Sequence, residues 1–147
     1  ERGMDEPLME HTMDVLDRTL ELYQKWGGDL KLLIAGALLH DIGRTVTHGV
    51  EHGVEGAKLV REQGWHEEVA KIVERHMGGG ITKEEAQEQG LPSKDYVPET
   101  LEERLVCFAD KTAGGRDRFQ DMLKRTEEAG FKESAERMRE LAEEFEY

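Results

Sequence analysis

His40 and Asp41 stand side by side at the end of an apolar run, Leu38-Leu39-His40-Asp41-Ile42-Gly43-Arg44. Imidazole suits transition metals, and an adjacent carboxylate can add charge or bridge two ions. A chance His-Asp pair is common, so the pair gains weight only from partners. The sequence offers His11, His52, His76 and Asp110, each in a different segment. Nitrogen and carboxylate ligands converging from several helices are how helical folds build mono- and dinuclear metal centres. Two cations lie next to these candidates. Arg44 could clamp a phosphate in a bidentate way, and Lys111 could neutralise charge on a transferring or leaving group. The plainer alternative for both cations is a surface ion pair, and for His11 a ring packed at the core edge. His48, four residues before His52, could replace it as a ligand, although an exposed loop position is the plainer reading. His66 reads as an exposed helix-start residue with no part in a site.

The elements that must position these side chains read as helices throughout. Leu8, His11, Val15, Leu16, Thr19, Leu20, Tyr23 and Trp26 recur at spacings of three and four, which predicts an amphipathic helix over 6–26 ended by Gly27-Gly28. Asp29 then caps a helix to about His40 that is apolar on nearly every side, and such a helix is expected to be central and buried. A third helix over 51–63 places His52, Gly56, Leu59 and Gln63 on one face, with Gly56 allowing a close neighbour. A fourth over 66–77 carries Val69, Ile72, Val73 and His76 as one stripe. Thr82 and Thr100 open capping boxes, and Asp110 follows the apolar run Leu105–Ala109, so it is expected to point inward. The glycine- and proline-punctuated stretch 78–98 is expected to be mobile, a candidate lid or specificity element. Two final helices, within 116–147, hold no histidine and read as scaffold. The expected architecture is all-α, a single domain over 1–147 of about six to eight helices.

Composition narrows the function. With 33 acidic against 20 basic residues the net charge is −13, a surface that repels phosphate backbones and is not expected to bind nucleic acid broadly. A local cluster of metal or arginine could still capture one small phosphate. The single Cys107, in an apolar helix, excludes an internal disulfide and fits a reducing cytoplasm. No apolar stretch approaches the ~20 residues of a membrane span, and no signal segment opens the chain. The chain starts at Glu1 rather than at methionine, as expected of one trimmed at its N-terminus.

In chain order these candidates resemble the HD superfamily of metal-dependent phosphohydrolases. Its pattern of a first-helix His, a His-Asp pair and a distant Asp is matched by His11, His40-Asp41 and Asp110, and His40-Asp41-Ile42-Gly43 matches the HDIG variant. His52 and His76 match the two extra histidines of dinuclear members. The stretches His76–Thr82 and Leu91–Pro98 are similar to those of small, mostly archaeal HDIG proteins, and the resemblance covers residues 8–112. It departs from the HD-GYP signalling enzymes, lacking both a His-His-Glu and a Gly-Tyr-Pro segment, so hydrolysis of cyclic dinucleotides is not expected.

The resemblance implies that His11, His40, Asp41 and Asp110 hold one divalent ion and that Asp41 bridges to a second held by His52 and His76. One or two ions of Mn, Fe, Co, Ni or Zn would lower the pKa of bound water and polarise the phosphoryl oxygen for in-line attack. The expected substrate is a small, nucleotide-like phosphate ester, cleaved as a mono- or diester. Two other outcomes are open. Some HD relatives use the same six ligands for di-iron oxygen chemistry, and a domain of this kind could bind metal or nucleotide as a regulator without turnover.

Overall fold

A computed structural model of the chain describes residues 5–147, so the first four residues of the expected 1–147 unit lie outside the described residues. The helices are α1 (Glu6–Trp26), α2 (Leu30–Leu39), α3 (His52–Glu62), α4 (Glu67–Glu74), α5 (Lys83–Glu88), α6 (Leu101–Thr112), α7 (Arg116–Glu128) and α8 (Lys132–Glu144), with a 3-10 turn at Ile42–Thr45. Among the described residues there is no β-strand, only the isolated bridges Gly78–Gly80 and Ile81–Tyr96. The architecture is all-α, as the periodicity predicts. None of the helices is long and apolar enough to cross a membrane.

Local chemistry sets the helix ends. Asp5 accepts the Leu8 N–H at 2.9 Å and Asp29 the Leu32 N–H at 3.1 Å, satisfying donors that a helix start leaves open. Thr82 and Thr100 make complete capping boxes with Glu85 and Glu103. Gly27 ends α1 at φ +76°, where a side chain would be strained.

Packing places α1 on α2 and α6, α3 on α4, and α7 on α8. The main core joins Val15 and Leu22 of α1 and Leu33 and Ala37 of α2 to Leu105–Ala109 of α6, and then to Phe119, Leu123, Met138 and Phe145 of the last two helices. The most deeply buried helix is α6, where five consecutive residues, Leu105 to Ala109, have no exposure. The expectation of a fully buried α2 is corrected. Leu33 and Ala37 are sealed, but Leu30 and Leu38 are each 38% exposed, because α1 and α4 flank only part of its surface. Gly36 is where α4 comes closest, since a Cβ there would lie 2.7 Å from a methyl of Ile72.

Two further expectations change. The fourth helix stops at Glu74, so His76 lies just beyond the cap residue Arg75 rather than on a continuing stripe. On α3, His52 and Gly56 are buried as expected, but Gln63 is exposed and the buried face continues through Ala57 and Val60. The stretch 78–98, expected to be a mobile lid, is packed down. Ile81, Ala86, Leu91 and Tyr96 form a small core of their own, and Arg137 of α8 donates to the carbonyls of Gly79 and Gly80 at 2.9 and 2.8 Å and to Glu85 at 2.7 Å.

Candidate metal centre

The α2 C-terminus delivers His40 and Asp41 to the interior, where they are 0% and 3% exposed. α1 brings His11, the first turn of α3 brings His52, the segment after α4 brings His76, and α6 brings Asp110. All six side chains expected as ligands meet. His11, His40, Asp41 and Asp110 offer donor atoms within 4.8 Å of one another, and so do Asp41, His52 and His76. His48 and His66 are exposed and belong to neither group, which separates His52 from its neighbour.

Asp41 divides its two oxygens between the groups. Oδ2 lies 3.5 Å from His11 Nε2 and 3.4 Å from His40 Nε2, while Oδ1 lies 3.1 Å from His52 Nε2 and 3.2 Å from His76 Nε2. Asp110 Oδ1 closes the first group at 2.9 Å from His11 and 3.3 Å from His40. Such spacings are those of neighbouring ligands on one ion with bonds of about 2.0–2.1 Å.

The rings are fixed from behind. His40, His52 and His76 each donate Nδ1–H to a carbonyl three residues earlier, Ala37, Gly49 and Val73, at 2.7, 3.0 and 2.6 Å. A carbonyl only accepts, so each Nδ1 carries a proton and each ring turns its Nε2 to the centre. Two such nitrogens, of His52 and His76, face each other at 3.2 Å, an arrangement that repels unless a cation or proton lies between them. The buried His40 Nε2 has no aligned hydrogen bond at all. The donor set, mixed imidazole and carboxylate, therefore fits a resident divalent cation.

Electrostatics agree. Burial pulls the His40 pKa down, but the Asp41 and Asp110 carboxylates overcome it and raise it to about 10. Burial disfavours charge on Asp41 and Asp110, yet His40 and the surrounding rings hold Asp41 well below the usual carboxylate range, and Lys111 with His11 and His40 does so for Asp110. Burial keeps His76 below its ordinary value. A site that keeps two buried carboxylates ionised and draws a proton onto a buried imidazole is one that attracts cations.

The two flanking cations differ. Arg44 holds Asp41 Oδ1 through Nε at 3.3 Å and lines a cavity of about 270 Å³ beside the ligands. Lys111 is buried and donates to Asp110 Oδ2 at 3.0 Å and the His76 carbonyl at 2.6 Å. The cavity wall also includes Arg118, Met122 and Thr126 of α7, a helix that reads as scaffold in the sequence. Gly43 is a further contributor. A Cβ there would fall 1.8 Å from the His52 carbonyl and 2.7 Å from the Gly56 nitrogen, so only glycine lets the turn after Asp41 lie against the start of α3. The glycine of the tetrad was the available signal for Gly43. For the α7 residues none was available, since their spacing is that of a packing face.

The HD domain family model matches residues 8–115. The chain belongs to the HD domain family. An uncharacterized protein of Methanocaldococcus jannaschii is 48% identical over 129 residues, 83% of this HD chain and 76% of the relative. The tRNA (cytidine(56)-2'-O)-methyltransferase of Thermoplasma volcanium is 40% identical over 141 residues, 95% of this chain, which spans 42% of that enzyme's length. Among solved structures, the HD domain of the L. monocytogenes phosphodiesterase PgpH in complex with cyclic-di-AMP superposes with a TM-score of 0.60, covering 90% of this chain and 86% of that one at 15% identity. That last likeness is one of fold.

Proposed function

We propose that this HD domain is a divalent-metal-dependent phosphohydrolase acting on a small, nucleotide-like phosphate ester. The observation that carries the reading is the division of Asp41, one oxygen toward His11 and His40 and the other toward His52 and His76. His11, His40, Asp41 and Asp110 would hold one ion, and Asp41, His52 and His76 the other. Divalent ions bound there supply Lewis acidity toward a phosphoryl oxygen and an acidified water.

The chain's own groups do the remaining tasks. The three Nδ1–H bonds to carbonyls fix ring orientation, so ligand geometry need not be organised when substrate enters. Arg44, tethered by Nε to Asp41, keeps its terminal nitrogens for a phosphate in the cavity. Lys111 holds Asp110 ionised and in place, so its charge acts on the reacting group through that carboxylate. The cavity shares Met77, Gly78 and Thr126 with a second one of about 170 Å³ whose walls include Val50, Ile81 and Phe131. That apolar neighbour supports an ester with a base-like group. The cyclic-di-AMP complex of PgpH's HD domain agrees that this fold can seat a nucleotide phosphate.

The test is to strip the protein of metal, restore Mn, Fe, Co, Ni or Zn singly, and screen phosphomonoesters and phosphodiesters while recording oxygen uptake. Metal-dependent ester cleavage without oxygen consumption is the expected outcome. Oxygen uptake by the iron form with no cleavage would replace this reading with oxygenase chemistry, and nucleotide binding without turnover would replace it with a regulatory one.

A further inference from the structure

Arg118 stands apart from the other arginines. Among the described residues, every other arginine has a hydrogen-bond, ion-pair or aromatic partner, as expected in a chain with 33 acidic side chains. Arg118 has none, and its exposed side chain lines the metal cavity, as Arg44 does. An arginine without a carboxylate in so acidic a chain is a cation kept available. Its side chain is also given room. A Cβ at Gly114 would lie 2.3 Å from Arg118 Cδ, 3.2 Å from Nε and 3.3 Å from Nη1, so the arginine folds back across position 114 because that position has no side chain. The planar fork of a guanidinium without a carboxylate partner matches phosphate oxygens.

We infer that Arg118, seated on Gly114, binds a second phosphate of the substrate, next to the one held by the metal ligands and Arg44. The inference rests on the phosphohydrolase reading and narrows its substrate class to esters carrying two neighbouring phosphate groups. A substrate with only the reacting phosphate would leave Arg118 unengaged. One with a second phosphate would engage both arginines of the cavity wall.

Calorimetric titration of the metal-loaded full chain with inorganic orthophosphate and with pyrophosphate tests this. Wild type is expected to bind both, pyrophosphate more tightly. A charge-assisted hydrogen bond is worth enough that Arg118→Ala should weaken pyrophosphate by roughly 10-fold or more while changing orthophosphate by less than about 2-fold. Arg118→Lys should recover part of the loss, because a point charge replaces the fork. Gly114→Ala, which displaces the arginine without removing it, should fall between wild type and Arg118→Ala. Orthophosphate binding without a preference for pyrophosphate would overturn the inference and leave the phosphohydrolase reading standing. So would an Arg118→Ala variant that weakens both anions equally. Failure of metal-loaded wild type to bind pyrophosphate would also overturn the inference, whereas absence of ester cleavage in the metal screen would overturn the reading it rests on.

Discussion

Asp41 is where the chemistry concentrates, because a single carboxylate serves two groups of histidines. Its removal should therefore cost more metal than the loss of any imidazole. After reconstitution and dialysis, elemental analysis is expected to find two ions per chain in wild type, one in His76→Ala, and less than one in Asp41→Ala. Equal metal content in Asp41→Ala and His76→Ala would contradict a bridging role. The six candidate ligands, which the fold brings together, were legible in the sequence because histidine and aspartate at helix ends are few and their chain order is distinctive. His52 could not be separated from His48 by spacing alone. Exposure separates them, and exposure depends on the turn at Ile42–Thr45 that packs His52 inward. Arg118 was illegible for a different reason. An arginine on a charged helix looks like solvated surface until the fold brings α7 to the cavity.

At the level of elements, the 3-10 turn and α3 form one unit around Gly43. Gly43→Ala must push the His52 carbonyl away from a Cβ only 1.8 Å from it. Overpacking of this kind costs roughly 1–3 kcal/mol, and disturbing the groups that orient a metal-binding histidine typically lowers metal affinity about 10–100-fold. Denaturant melts and metal titration of Gly43→Ala should show both, with the second ion, near His52, lost first. The stretch 78–98 makes a second test. Arg137→Met removes three donors to Gly79, Gly80 and Glu85. Amide hydrogen exchange should then speed up in 79–98 and leave α6 protected, whereas unchanged exchange would mean that Ile81, Leu91 and Tyr96 suffice to pin it. Helix existence was readable from periodicity and caps, down to both capping boxes. Burial of whole elements was not: α2 is more apolar than α6, yet α6 is the centre, because burial follows the number of neighbours a helix acquires.

For the molecule as a whole, metal and proton compete for the same centre. In the metal-free protein the His40 pKa is about 10, above its unfolded value near 6.5, so its contribution to stability is complete below about pH 6.5 and is lost as pH rises toward 10. Asp41 and Asp110 are shifted down, so theirs is present above about pH 4 and lost on acidification. The metal-free form should be most stable between those limits. Because an ion must displace the proton on His40, the rise in Tm on adding metal should grow from pH 6 to pH 9. A constant or shrinking rise would contradict this.

Under the proposed function Asp41, with its two groups of histidines, would hold the divalent metal that supports phosphate-ester hydrolysis. The most direct measurement is phosphate release from a responsive ester as metal is titrated into stripped wild type and stripped Asp41→Ala. Release is expected to climb until two equivalents are bound, and Asp41→Ala to be slower by about 10³-fold or more, as the loss of several kcal/mol of metal-ion stabilisation implies. Undiminished release by Asp41→Ala would contradict it.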